Sequence, residues 1–366
     1  MKRDLKIDRI FLVAVILLTT VGFFIFTSAS LGLLARDGAS FQNVALKQMI
    51  GLVLGAGAFF IMSKLPYKNL RKYSFYIFCG ALLLNLLLFI PGLAQNHGGA
   101  SRWIDLRFVT FQPSEFLKIA FIIYFAAWLS GVKQQITEFK MSVVPYGVIL
   151  SVLGILLLAQ SDTDTLAVIA LTGLVMLFST GAKVRHLMLI VLIGALGLAS
   201  IIYARPYARE RFMTFLNPAA NPQGSGYQIQ QSLLAIGSGK IAGRGFGQSI
   251  QKFNYLPEPI GDSIFAVQAE EFGFLGSLAL VGLFLLFLFR SMKIAGRSPD
   301  TFGGLVVMGI AILIIVESFM NISSMLGIIP LSGMPLLFVS HGGTALIITL
   351  GAAGIIANIS KHTVHN

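Results

Sequence analysis

The chain has 366 residues, of which 56% are hydrophobic and only 11% charged, with 30 phenylalanines and a mean hydropathy of +0.83. A soluble domain must cover itself with polar side chains, so this composition excludes one and points to a polytopic membrane protein. The net charge of +12 does not signal nucleic acid, because the cations sit in short connections between apolar runs.

Ten runs reach the ~20 residues needed to cross a bilayer, give or take a few. They cover about 10–34, 46–63, 73–93, 114–131, 142–160, 164–181, 186–204, 263–290, 302–322 and 343–360. The first, Ile10 to Leu34, is too long for a signal-peptide core and reads as a retained span. Cations crowd alternate connections: Lys2, Arg3, Lys6 and Arg9 before the first span, Lys64, Lys68, Arg71 and Lys72 after the second, and Lys133 and Lys140 after the fourth. Lys183 and Arg185 follow the sixth, and Arg290, Lys293 and Arg297 the eighth, so both termini are expected in the cytoplasm. The strict alternation of a membrane β-barrel is absent, and the expected fold is all-α. The lone Cys79 excludes an internal disulfide. No internal repeat is evident, which weighs against an inverted-repeat transporter.

The opposite connections have a different chemistry. Residues 98–108 offer Arg102 and Arg107 around Trp103, an aromatic suited to the membrane interface. Gln112-Pro113-Ser114-Glu115 opens the fourth span with Lys118 on the same helix face as Glu115, either as a structural ion pair or with Lys118 free to meet a phosphate or tune a catalytic acid. Residues 160–165, QSDTDT, form a turn whose two acids are a weak metal signal. The connection 205–262 is the longest, broken by Pro and Gly and carrying Arg205, Arg209, Arg211, Lys240, Arg244 and Lys252. Within it Ile229–Ile236 has the look of a short interfacial helix, and six cations on the outward side suggest an anionic ligand.

Asp262 closes that connection just before the eighth span. Acids are scarce, 15 against 27 cations, and one at the rim of an apolar span is either a helix cap or a functional group. Glu270, Glu271 and Glu317 fall inside spans and must be paired, protonated or facing a cavity. Residues 327–344 form a Gly/Pro-broken run at the outer end, and Ser340 and His341 lack a third, orienting acid, which argues against a hydrolase triad.

Taken together, the runs WIDLRFVTFQPSEFLKIA, QSDTDT, GYQIQQSLLAIGSGKIAGRGFGQSIQKFNYLPEPIGDSIFAVQAEEFGFLG and IPLSGMPLLFVSHGG resemble, in order and side, the FtsW/RodA (SEDS) family of peptidoglycan polymerases. The likeness spans nearly the whole chain, and SASLGL and GQSIQKFNYLPE are more similar to the FtsW branch. It implies a single transmembrane domain with residues 205–262 as a large extracytoplasmic loop. It implies a glycosyltransferase that polymerises lipid II on the outer face of the bacterial cytoplasmic membrane, for division or cell shape. Its essential acid falls on Asp262 and its loop glutamate on Glu258. Glu115, Lys118, Arg102 and Trp103 fall on family positions, with Arg211, Lys240, Arg244 and Ser340 as further candidate substrate contacts. The family's usual His-Thr-Asp is here Ile260-Gly261-Asp262, and its SYGG is Ser340-His341-Gly342-Gly343. The expected chemistry has Asp262 as general base and Arg/Lys side chains on the leaving diphosphate, with or without a divalent cation (Mg or Mn). Expected partners are a class B penicillin-binding transpeptidase, other division or elongation proteins and membrane lipid. A lipid II flippase and a non-catalytic scaffold are the competing readings.

Overall fold

Apolar length encoded locally becomes helix throughout. The computed structural model describes residues 6–35, 41–90, 93–97, 100–105, 110–218 and 224–363; Lys2, Arg3 and Arg107 lie outside them. Helices α1 (Arg9–Ser30), α2 (Phe41–Lys64), α3 (Tyr67–Leu86), α4 (Pro113–Gly131), α5 (Phe139–Ala159), α6 (Thr163–Ser179) and α7 (Val184–Ala204) precede the long connection. Helices α10 (Ile264–Gly296), α11 (Thr301–Met325) and α12 (Gly343–Ser360) follow it. Nine of these ten are long and apolar enough to cross a membrane, and α6, at 17 residues, is shorter. The expected ten runs are thus all helical, and nine of them reach full spanning length.

Helix starts follow local chemistry. Asp8 caps α1, accepting from Phe11 N at 3.0 Å, and Asp300 caps α11, accepting from Gly303 N at 2.7 Å. Proline opens α4 and α8 (Pro206–Leu216), where its missing N–H costs nothing. α11 and α12 are the most enclosed helices, whereas α7 presents almost its whole surface outward. At the end remote from Asp262, Asp8 grips Arg290 with both oxygens, each at 2.8 Å, and its N–H donates to Ser360 Oγ at 3.1 Å. That clasp binds the start of α1 to the ends of α10 and α12.

The expected all-α architecture holds, with one small addition in a connection: β1 (Ala94–His97), β2 (Ala100–Asp105) and β3 (Thr110–Phe111) form an antiparallel sheet in that order. The 205–262 connection is also largely structured, with α8 and α9 (Ser225–Ser238). The stretch Ile229–Ile236 lies inside α9, helical as expected, with one face packed on the bundle and Leu233 and Leu234 exposed on the other. Ile229 and Ala235 are buried, Gln228 Nε2 donates to Ser263 Oγ at 3.0 Å, and Ser232 meets Met325 Sδ at 3.4 Å.

The remainder of the connection is spliced into α10. Gly273 breaks that helix with φ 64° and ψ −163°. The freed N–H groups of Phe274 and Leu275 donate to the carbonyls of Lys240 and Ile241 at 2.9 and 3.1 Å. In return, Arg244 N and Gly245 N donate to the carbonyls of Glu270 and Glu271 at 3.0 and 2.9 Å. Each glutamate side chain completes the join. Glu270 accepts from Ser249 Oγ at 2.6 Å, Ile250 N at 3.1 Å and Gln251 N at 3.2 Å, and Glu271 from Lys252 Nζ at 2.7 Å and Ser28 Oγ at 2.6 Å. The two acids therefore bind the loop, and both are paired, one of the states expected of an acid inside a span. A Cβ at Gly273 would overlap Gly243 N, in a backbone conformation that disfavours any side chain. Gly273→Ala is expected to destabilise the fold by about 1–3 kcal/mol or more, read as a lower unfolding midpoint in detergent; an unchanged midpoint would remove the splice from the account.

Candidate active site

Asp262 stands one residue before the cap of α10, in a loop held from three sides. Glu258, at φ 45°, turns the chain so that its carbonyl accepts from Gly261 N and Ser263 N, both at 3.1 Å. The broken run before α12 clamps the same loop: Ser340 Oγ donates to Gly261 O at 2.8 Å, and His341 N donates to Ile260 O at 2.7 Å. Asn321 of α11 closes the third side, its Nδ2 donating to Asp262 O at 2.7 Å and to Met334 O at 2.8 Å. With its backbone fixed by partners remote in sequence, the Asp262 carboxylate is not spent on capping.

That carboxylate lines a cavity of about 160 Å³ with Tyr207, Glu210, Arg211, Gln228, Leu331, Ser332 and Gly333. Arg211 is its cation, held by Asp164 at 3.0 Å and lying over the Tyr207 ring at 4.5 Å. Gly333 leaves the meeting point open: a Cβ there would stand 3.6 Å from Arg211 NH2 and 3.7 Å from Asp262 Oδ2. Burial, foremost, and the neighbouring Glu258 charge push the Asp262 carboxyl up to about 7, with Asp164 adding to this and Arg211 and Arg102 opposing it. An acid poised near neutrality, beside a cation and an open space, can exchange a proton with a hydroxyl while an anion is neutralised next to it.

The other expected contacts are dispersed. Glu115 and Lys118 do not line this cavity. Lys118 Nζ sits between Glu115 Oε1 at 2.9 Å and Glu317 Oε2 at 2.5 Å, all three buried, an arrangement that fits the structural alternative for that pair. Arg102 is tied to the Ser161 carbonyl and stands 3.7 Å from Asp162. Trp103 pairs with Gln95 across β1 and β2 and is half-buried. Arg244 meets Glu270 at 3.3 Å, and Lys240 is exposed, at φ 50°, beside the α10 splice. Ser340 has its hydroxyl occupied by Gly261 O and by Leu336 N at 2.8 Å. His341 stacks on Phe26 and faces Gln48 Oε1 at 3.0 Å. Among the described residues no three His, Cys, Asp or Glu side chains assemble as a metal-binding group. Sequence reading overlooked Tyr207, Gln228 and Gly333; the aromatic–cation spacing of Tyr207 and Arg211, one turn apart in PYARERF, was the available signal.

The model of one family, FtsW/RodA/SpoVE, described as cell cycle protein, matches residues 8–365. The chain belongs to the FtsW/RodA/SpoVE family. The family assignment is supported by individual relatives. Stage V sporulation protein E of Bacillus subtilis (strain 168) is 36% identical over 357 residues, 97% of each chain. The probable peptidoglycan glycosyltransferase FtsW of Geobacter sp. (strain M18) is 36% identical over 364 residues, 98% of each. Among solved structures, a chain of a peptidoglycan synthase complex that coordinates polymerization and crosslinking superposes with a TM-score of 0.78 at 26% identity, covering 97% of both chains. The rod shape determining protein RodA of Thermus thermophilus shares the fold, with a TM-score of 0.69 at 24% identity over 98% of each. As an FtsW/RodA/SpoVE member, the chain is a multi-pass membrane protein.

Gly333→Ala is expected to fold normally, since the added methyl meets only ordinary contacts, yet to raise KM for an anionic substrate by crowding the cavity. Steady-state kinetics check this; an unchanged KM would move the substrate away from Gly333.

Proposed function

We propose that the protein is a peptidoglycan glycosyltransferase that polymerises lipid II at the outer membrane face, with Asp262 as general base. The observation that carries this reading is the cavity in which an acid raised toward neutrality faces Arg211 across the open Gly333. The names of the FtsW relatives support the activity. In the reaction Asp262 takes the proton of the acceptor sugar's 4-hydroxyl as that oxygen attacks the donor's anomeric carbon. The bond from that carbon to the diphosphate breaks, with inversion, and the departing oxyanion meets Arg211. Glu258 supports the base through its charge and the turn it makes. Apolar cavities of about 510 Å³ between α1 and α10 and about 390 Å³ among α5, α6 and α7 offer room for parts of a polyprenyl chain.

The cationic connections on the opposite side favour cytoplasmic termini, with the 205–262 connection outside. The match to a polymerisation and crosslinking complex favours a class B penicillin-binding transpeptidase as partner. A flippase needs charges along a path through the membrane, but Lys118, Glu115 and Glu317 are sealed against one another.

The test is to feed the purified protein lipid II with a β-lactam present, alone and with its transpeptidase, and to resolve glycan on a gel. Long uncrosslinked strands are expected. Their absence even with the partner and added Mg or Mn would transfer the protein to the flippase or scaffold class.

A further inference from the structure

One oxygen of Asp164 serves two masters: Oδ2 accepts from Arg211 NH1 at 3.0 Å and from Gly333 N at 3.2 Å. The carboxylate thereby joins the first turn of α6, the outer helix α8 and the broken run before α12. Tyr207, one turn before Arg211 on α8, supports the guanidinium from its face at 4.5 Å. A Cβ on Gly333 would find Arg211 NH2 at 3.6 Å, Asp262 Oδ2 at 3.7 Å and Asp164 Oδ2 at 4.0 Å. A cation and two acids thus converge on one bare α-carbon.

A guanidinium so placed can pair with either carboxylate. Pairing with Asp262 would disable the base and occupy the diphosphate's cation in one contact. Pairing with Asp164 leaves Asp262 open and turns the remaining guanidinium N–H groups toward the cavity. We propose, resting on the general-base reading of Asp262, that Asp164 is a positioning residue that holds Arg211 off Asp262 and presents it to the leaving diphosphate.

The groups facing Asp262 make this testable. Asp164 from α6 and Glu258 from its own loop push its carboxyl upward, and Arg211 from α8 and Arg102 from β2 pull it down; Glu210 and Tyr207 of α8 line the same cavity. Neutralising Asp164 removes an upward influence and frees Arg211 to close on Asp262, so both effects act downward. Removing Arg211 acts upward. Simple loosening of the site would admit water and move the carboxyl down in both variants, so opposite directions are the signature of positioning.

The chain has eight aspartates, so labelling with [4-13C]aspartate places one carboxyl signal on each, and Asp262→Asn identifies the signal of interest. The full-length protein in detergent is titrated by NMR without substrate. In Asp164→Asn the Asp262 midpoint is expected to fall by about one pH unit or more, and in Arg211→Gln to rise. A midpoint unmoved in Asp164→Asn, or lowered in both variants, overturns the proposal. The titration requires no turnover, so it stands apart from the polymerase reading. With lipid II, the acid limb of kcat/KM should move with the midpoint in Asp164→Asn. A uniform loss at every pH with the limb unmoved would leave Asp164 as a turn residue only.

Discussion

Asp262→Asn is expected to slow glycan polymerisation by about 10²–10⁴-fold at neutral pH while lipid II still binds, because only the proton acceptor is lost. The wild-type rate should itself fall about tenfold per pH unit below a midpoint near 7, where the base becomes protonated. The same carboxyl makes a stability prediction of the opposite sense. Its folded value is raised from 3.8 to about 7, so between those values the folded state holds the extra proton and stability declines as pH rises. Asparagine carries no such liability. Asp262→Asn should therefore melt higher than the wild type at pH 8 and equally at pH 3.5. Equal polymer from both proteins across the pH range would reduce Asp262 to a loop residue and refute the mechanism.

Lys118→Met should have the largest effect on folding. It strands Glu115 and Glu317, both enclosed and one of them already with an unpartnered oxygen, around an apolar side chain. Breaking a buried ion pair from one side costs about 3–5 kcal/mol, since the remaining charge has no water to return to. A sharp drop in monodisperse yield and in unfolding midpoint is expected. Adding Glu317→Gln to the variant should recover part of the loss by removing one stranded charge. A Lys118→Met protein that melts like the wild type but makes no polymer would return Lys118 to the substrate, the other role open to it in the sequence.

These two residues show what was legible beforehand. Asp262 stood out because acids are rare and it marks the edge of an apolar run, both local facts. The spans were legible for the same reason: length and apolarity need no partner. Lys118 was ambiguous because spacing within one helix reveals Glu115 but not Glu317, 199 residues away on α11. Asp164 read as ordinary turn chemistry, since nothing near it in sequence announces Arg211, 47 residues on. The splice at Gly273 was invisible for a related reason. A glycine inside an apolar run reads as helix, and only the carbonyls of Lys240 and Ile241 explain the break.

The splice also dictates an order of assembly. The segment that satisfies Glu270, Glu271 and the N–H groups after Gly273 precedes α10 in the chain. During synthesis it must already be waiting beside the site when α10 emerges, or two acids and two open backbone donors would enter the bilayer unmet. The eighth apolar run is thus expected to insert poorly in isolation and well when residues 239–253 are supplied ahead of it, which a glycosylation-tagged insertion assay in microsomes can measure. Docked loop and membrane helix are made competent in a single event, so a chain that fails to dock the loop is left with a faulty membrane segment that quality-control proteases can recognise.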